Sequence, residues 1–175
     1  MKTELRRFVL NAALFQAGWF AFVVGGDRVA LWLLPLLLIF HHYWVLQITR
    51  EWSFVVGFSV LGVSIDSLLS VTGLLSFDEQ YFFIPFWLFA LWLLMATTFH
   101  HCLSWLVDKY YLAAAFGAFF STLAYWAGAN LSRVTFHAEP WRSLLAIAVV
   151  WTLLLPLGLH CSQRYFKSPE VSSKE

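Results

Sequence analysis

The stretch LLIFHHYWVLQ, residues 37–47, places two adjacent histidines near the end of a long apolar run. The stretch TTFHHCLSW, residues 97–105, sets a second histidine pair in a similar apolar setting. Hydrophobic residues make up 61% of the 175-residue chain and charged residues only 12%, whereas soluble domains carry about 25% charged residues. The composition therefore predicts a membrane protein, and it raises the question of why such a chain keeps paired imidazoles inside apolar segments.

Long apolar segments follow one another along the whole chain. A helix needs about 20 mostly apolar residues to cross the hydrocarbon core of a bilayer. Six segments of that kind, joined by short connections, lie at 8–25, 29–49, 52–75, 83–106, 110–130 and 141–161. The alternating pattern of an outer-membrane barrel is absent from the sequence. We predict an all-α, polytopic bundle of six transmembrane helices, a single domain over 1–161 followed by a polar tail over 162–175.

Basic residues are unevenly distributed over the predicted connections. If the N-terminus is cytoplasmic, the inner segments hold eight of them: Lys2, Arg6, Arg7, Arg50, Lys109, Arg164, Lys167 and Lys174. The outer loops then hold only three: Arg28, Arg133 and Arg142. Because cytoplasmic loops of membrane proteins carry an excess of Lys and Arg, both termini are predicted to be cytoplasmic.

A carboxylate inside a predicted span is the most informative single residue. Asp66 falls within 52–75, where an ionisable side chain costs at least about 2.5–3.5 kcal/mol on insertion scales. It lies on a face of small and polar residues, and the segment 110–130 carries a similar face with Tyr125 at a comparable depth. Asp66 and Tyr125 are therefore expected to meet. Two roles stay open: a functional site in the bundle interior, or a neutral Asp66 that joins helices through hydrogen bonds to Ser70, Tyr125 or a backbone carbonyl.

Five of the six histidines are predicted to lie in one layer, in the cytoplasmic half of the bundle: His41, His42, His100, His101 and His160. Imidazole is a ligand for zinc, copper and iron, so haem or metal binding is an open alternative, with His42, His101 and His160 as its candidate ligands. Neighbouring residues on a helix project about 100° apart, so at most one histidine of each pair can face a shared centre. The other alternative is that the imidazoles bind neighbouring helices or reach toward lipid headgroups.

Several motifs together resemble a family of uncharacterised bacterial inner-membrane proteins that is classed under a domain of unknown function. These motifs are NAALFQAGW (11–19), Arg50–Glu51, Asp66, Gly73, PFWLFALW (85–92), TTFHHCLSWL (97–106), and Tyr125 with Gly128. The resemblance implies a location in the bacterial inner membrane, near genes for cyclopropane-fatty-acid-synthase-like and other lipid-modifying enzymes. The family pattern carries over onto Asn11, Gln16, Trp19, Glu51, Asp66, Trp87, His101 and Tyr125.

The resemblance supports a candidate polar site made of Asn11, Gln16, Glu51, Asp66, His101 and Tyr125. Without it, Asn11 and Gln16 are ordinary polar contacts between helices, and Arg50–Glu51 is a charged anchor with a local ion pair at the inner turn. The sequence holds no Gly-rich phosphate loop, Ser/His/Asp arrangement or CxxC motif, so it assigns no reaction.

Three classes of function fit these observations. The favoured one is a lipid-associated enzyme or accessory subunit that admits an acyl chain between its helices and uses Gln16, Glu51 and His101 near the inner leaflet. The second is a small proton-coupled transporter with a relay of Asp66 and Tyr125. The third is a membrane subunit that binds haem or a metal. Membrane lipids and lipid-modifying enzymes are the expected partners, nucleic acid is not, and the oligomeric state stays open.

Overall fold

A computed structural model of the chain describes residues 2–77, 84–132, 134–136 and 139–166. The described part contains five helices: α1 (Lys2–Trp44), α2 (Glu51–Val71), α3 (Phe86–Thr98), α4 (Tyr110–Leu131) and α5 (Pro140–Phe166). Two short strands, β1 (Leu75–Phe77) and β2 (Val134–Phe136), and a one-turn 3-10 helix over Ser104–Leu106 complete it. The predicted helical character is confirmed.

The helix α1 folds back on itself at Gly26, which has φ 63° and ψ −159° inside an otherwise helical run. This backbone region is open essentially to glycine alone. A straight helix of this length would extend about 65 Å, yet the amide of Gln47 lies 3.3 Å from the carboxylate of Glu4. The element is therefore a helical hairpin with arms over 2–25 and 27–44, which correspond to the predicted segments 8–25 and 29–49.

Four helices of the described part are long and apolar enough to cross a membrane: Thr3–Trp44, Glu51–Val71, Tyr110–Leu131 and Pro140–Arg164. The predicted helix over 83–106 is shorter in the structure, because α3 ends at Thr98 and the chain then turns. Its 13 residues extend about 20 Å, less than the roughly 30 Å hydrocarbon core. The predicted end of this helix at residue 106 is wrong, because the residues of the turn are as apolar as those of the helix itself.

The short helix α3 lies at the centre of the bundle. On one side, Leu91 packs in a core cluster with Leu34 of the hairpin. On another side, Ala96 packs in a second cluster with Phe58 of α2 and Leu155 of α5. A helix that is hydrophobic on all sides is buried, and this explains why the most apolar helix of the chain contacts protein on several faces.

The two interhelical loops after α2 and α4 meet in a small antiparallel sheet. Leu75 pairs with Phe136 and Phe77 with Val134. The chain is mostly helical, as predicted, and this small sheet is a feature that the sequence analysis missed, because three-residue strands lie below the length at which alternation is visible. At the other end of the chain, α5 continues to Phe166 beyond its predicted end, and the rest of the predicted tail lies outside the described residues.

Candidate functional site

Three buried side chains from three segments converge at one end of the bundle. The Glu51 carboxylate lies 3.0 Å, from Oε1, to Nε2 of His41 and to Nε2 of His101. Its second oxygen, Oε2, is 3.1 Å from the same nitrogen of His101. All three residues are at most 5% exposed. We call this group the His–Glu–His cluster.

The position of His41 on α1 explains why it faces inward and His42 does not. Ala30, Leu34, His41 and Val45 are all buried, with spacings of one or two helical turns that keep them on one face. His42 is exposed, and its Nδ1 accepts a hydrogen bond from the Trp52 indole at 3.3 Å. Nδ1 of His41 is buried and has no hydrogen-bond partner among the described residues.

The turn that carries His101 is held in place by Asn11. The Asn11 amide nitrogen donates to the carbonyl oxygen and to Oγ1 of Thr97, each at 3.3 Å. Its carbonyl oxygen accepts from the backbone N–H of Cys102, also at 3.3 Å. Asn11 is fully buried, so it bridges α1 to both sides of the His101 turn and orients the imidazole toward Glu51.

A second buried carboxylate, Asp66, lies further along α2. Its Oδ1 accepts a hydrogen bond from the Tyr125 hydroxyl at 2.6 Å and its Oδ2 accepts one from the Trp92 indole at 2.7 Å. A Cβ atom at Gly62 would clash with the Trp92 ring, so glycine at this position lets the indole lie against α2. The contact between Asp66 and Tyr125 is the one that the sequence predicts. Trp92, which the sequence analysis missed, completes it.

The predicted site residues thus separate into two groups. Asn11, Glu51 and His101 belong together at one end, and Asp66 and Tyr125 form a separate pair. Gln16 is exposed on the α1 surface, and it belongs to neither group.

The three candidate metal ligands from the sequence differ in their exposure. His42 and His160 are both exposed, and His160 lines a small cleft with Val107 and Asp108. Within the described ranges, one group of three or more His, Cys, Asp or Glu side chains has ligand atoms close enough for a single ion, and it is His41, Glu51 and His101. The sequence carried a signal for His41, because it shares the phase of the buried residues of α1 and His42 does not.

An elongated apolar cavity of about 270 Å³ lies between α1, α3, α4 and α5. It is lined mainly by aromatic and aliphatic side chains, with Trp92 and Tyr125 on its wall and Cys102 and Leu103 at one end. The outermost lining residues on α4, Phe116 and Ala129, are about 20 Å apart along the helix axis. Asp66 itself does not line the cavity, because its two hydrogen-bond donors stand between it and the open space.

A family model described as "Protein of unknown function (DUF2878)" matches residues 8–157. No curated protein and no solved structure matches the chain.

Substitutions at Asp66 test whether this carboxylate is needed for its charge or for its hydrogen bonds. In Asp66→Asn, the amide oxygen can accept from Trp92 and the amide nitrogen can donate to the Tyr125 hydroxyl, so we expect a free energy of unfolding near that of the wild type. In Asp66→Leu, both donors stay buried and unpaired, and we expect a loss of about 1–3 kcal/mol. The measurement is reversible unfolding in mixed micelles.

The matched control for this pair is Ser64→Leu, which places the same side chain at an exposed position of α2 and should change stability little. If Asp66→Leu is as stable as Ser64→Leu, the hydrogen bonds to Asp66 do not hold these helices together.

Proposed function

The chain belongs to this family of unknown function, and we propose that it is an integral membrane protein. In this proposal the protein binds the acyl chain of a membrane lipid between its helices. In this proposal it acts as a lipid-associated enzyme or as the accessory subunit of one. The observation that carries the proposal is the elongated apolar cavity between α1, α3, α4 and α5.

The size and shape of the cavity suit a chain-like apolar ligand. Its volume of about 270 Å³ is larger than the roughly 150 Å³ apolar cavity that binds benzene in an engineered protein. Its length along α4 is about 20 Å, two thirds of the hydrocarbon core of a bilayer. Ligand sites are mostly apolar with a few polar groups that fix orientation, and Ser121, Thr98 and Tyr125 supply such groups here.

The position of the His–Glu–His cluster relative to the cavity supports a link between lipid and polar site. Cys102, the residue after His101, lines one end of the cavity. The same residue is hydrogen-bonded to Asn11. A ligand that fills this end of the cavity would therefore contact the turn that carries His101. Through this turn, the bound lipid would be linked to the His–Glu–His cluster.

A proton-coupled transporter is the second candidate, and the wholly buried carboxylate of Asp66 favours it. A relay requires the carboxylate to exchange protons with water or with a ligand. Both oxygens of Asp66 are covered by neutral donors, Tyr125 and Trp92. Because exchange would need these donors to move aside, the lipid-binding proposal fits the geometry better.

The proposal includes a threading of six membrane segments with both termini in the cytoplasm of a bacterium. The hairpin shape of α1 supplies two antiparallel arms, and α3 would be the short fourth segment, buried among the others. Pairing of β1 with β2 supports the placement of both loops on one side, opposite the basic residues predicted to be inside. Lipid-modifying enzymes are the partners that we expect at that inner face.

Filling the cavity tests lipid binding directly. Gly128 lines the cavity, and a Cβ atom there would meet nothing within 4 Å, so Gly128→Phe places a ring in the open space without a backbone clash. We expect a phospholipid with a diazirine in its acyl chain to crosslink to cavity residues of α4 in the wild type and to lose those crosslinks in Gly128→Phe. The readout is peptide mass spectrometry of protein labelled in vesicles.

The matched control is Gly57→Phe on α2, where a Cβ atom also meets nothing within 4 Å but the position is exposed and does not line the cavity. This variant should keep the wild-type crosslinks. Equal labelling of the cavity residues in both variants, or none in the wild type, contradicts the proposal.

Accessibility labelling tests the threading. In a background with Cys102 and Cys161 replaced by alanine, cysteines at Arg28 and Thr135 should react with a membrane-impermeant maleimide added to intact cells. A cysteine at Gln47 should react only after the cells are opened. All three positions are exposed in the fold, so burial does not explain a difference. Labelling of Gln47→Cys in intact cells contradicts the orientation, and failure of Arg28→Cys contradicts the membrane hairpin.

A further inference from the structure

The His–Glu–His cluster brings a specific set of donor atoms to one point. Its nitrogen and oxygen atoms come from the end of α1, the first residue of α2 and the turn after α3. The two imidazoles present the same type of nitrogen, Nε2, to the same carboxylate oxygen. We propose that His41, Glu51 and His101 form a binding site for one divalent first-row transition-metal ion.

The distances within the cluster fit a metal centre of octahedral type. Metal–nitrogen and metal–oxygen bonds in such sites are about 2.0–2.2 Å. Two ligands at about 2.1 Å from one ion and about 3.0 Å from each other subtend an angle of roughly 90°. The Nε2 atoms of His41 and His101 each lie 3.0 Å from Oε1 of Glu51, and the ligand atoms of the three residues all lie within 4.8 Å of one another, close enough for one ion to be shared.

The donor types narrow the choice of ion. Two histidines and one carboxylate on one face of an octahedron are the ligand set of non-haem iron(II) sites, and they leave further positions open. Open positions beside two histidines and one carboxylate favour iron(II) or manganese(II). The site proposed here thus differs from a closed structural zinc site, which would need a fourth protein ligand.

The turn that carries one of the ligands, His101, is held in place as metal-site ligands usually are. Ligand residues of metal sites are oriented by hydrogen bonds from an outer shell, and Asn11 supplies such bonds to the turn that carries His101. The buried position removes competing water, and the charge of a divalent ion offsets the charge of the buried Glu51 carboxylate. The alternative is a proton-sharing group in which one imidazolium balances Glu51, and such a group binds no metal.

Cobalt(II) is a suitable probe, because its visible absorption reports coordination by nitrogen and oxygen. The full-length protein should be purified in detergent without a histidine tag, treated with a chelator and titrated with Co²⁺. We expect a visible spectrum that saturates at about one equivalent. Protein purified without chelator should contain iron or manganese by elemental analysis. No saturable Co²⁺ spectrum in the wild type overturns the proposal without the need for any variant.

Adjacent histidines provide the matched pair of variants. His41→Gln and Glu51→Gln should each weaken Co²⁺ binding about 100-fold or more, since even outer-shell partners alter metal affinity by 10–100-fold. His42→Gln and His160→Gln change exposed histidines and should keep the wild-type affinity. Thermal unfolding of each variant in detergent identifies any that fail to fold. A folded Glu51→Gln protein with wild-type affinity, or equal losses in His41→Gln and His42→Gln, contradicts the site.

Metal binding at the His–Glu–His cluster and lipid binding in the cavity are tested separately. The metal titration uses protein in detergent and takes no account of the cavity, whereas the acyl-chain crosslinks are read at Gly128 and its neighbours. Loss of one result therefore leaves the other standing.

Discussion

The carboxylate of Glu51, buried between two imidazoles, fixes the relative positions of three chain segments. A buried charge must be paired and hydrogen-bonded, because the interior of the protein does not replace the water it has lost. Its hydrogen-bond partners are the Nε2 atoms of His41 on α1 and of His101 in the turn after α3. The ends of α1, α2 and α3 therefore meet at this point, and Asn11 ties the same turn back to the start of α1.

Asp66 imposes the same constraint at a second level of α2. Its two donors, Trp92 and Tyr125, belong to α3 and α4, so the carboxylate joins helices that are distant in the sequence. Both donors are large, and both form part of the wall of the apolar cavity. A space remains between α1, α3, α4 and α5, and that space is the apolar cavity. The hydrogen bonds to Asp66 thus hold two of the side chains that line a cavity suited to an apolar ligand.

Much of this arrangement could be predicted from the sequence. The apolar segments, the contact between Asp66 and Tyr125, and the limit of one inward histidine per pair all follow from composition and helical periodicity. The end of α3 at Thr98 could not be predicted, because the turn after it is as apolar as the helix. His41 faces inward and His42 does not, because only His41 lies on the same helix face as the buried residues of α1. This becomes visible only when the buried positions along the whole helix are considered together.

Other features depend on tertiary packing and leave no local signal. Gln16 has the same polarity as Asn11, yet it lies on the exposed side of its helix, five residues further along. Glu51 next to Arg50 suggested a local ion pair at the surface, whereas its carboxylate turns inward to two imidazoles from other segments. The cavity is the space left by side chains from four helices, and no segment of sequence encodes it alone.

The central claim is that Glu51 and His101 stabilise the fold as a pair, and a double-mutant cycle tests it most directly. Glu51→Met and His101→Leu should each lower the free energy of unfolding, by up to about 3–5 kcal/mol, because each leaves a buried partner uncompensated. The double variant replaces both polar groups with apolar ones and should lose clearly less than the sum of the two. A coupling energy above about 1 kcal/mol supports the account. Additive losses within about 0.5 kcal/mol would contradict it, since residues that do not depend on each other cannot hold these segments together.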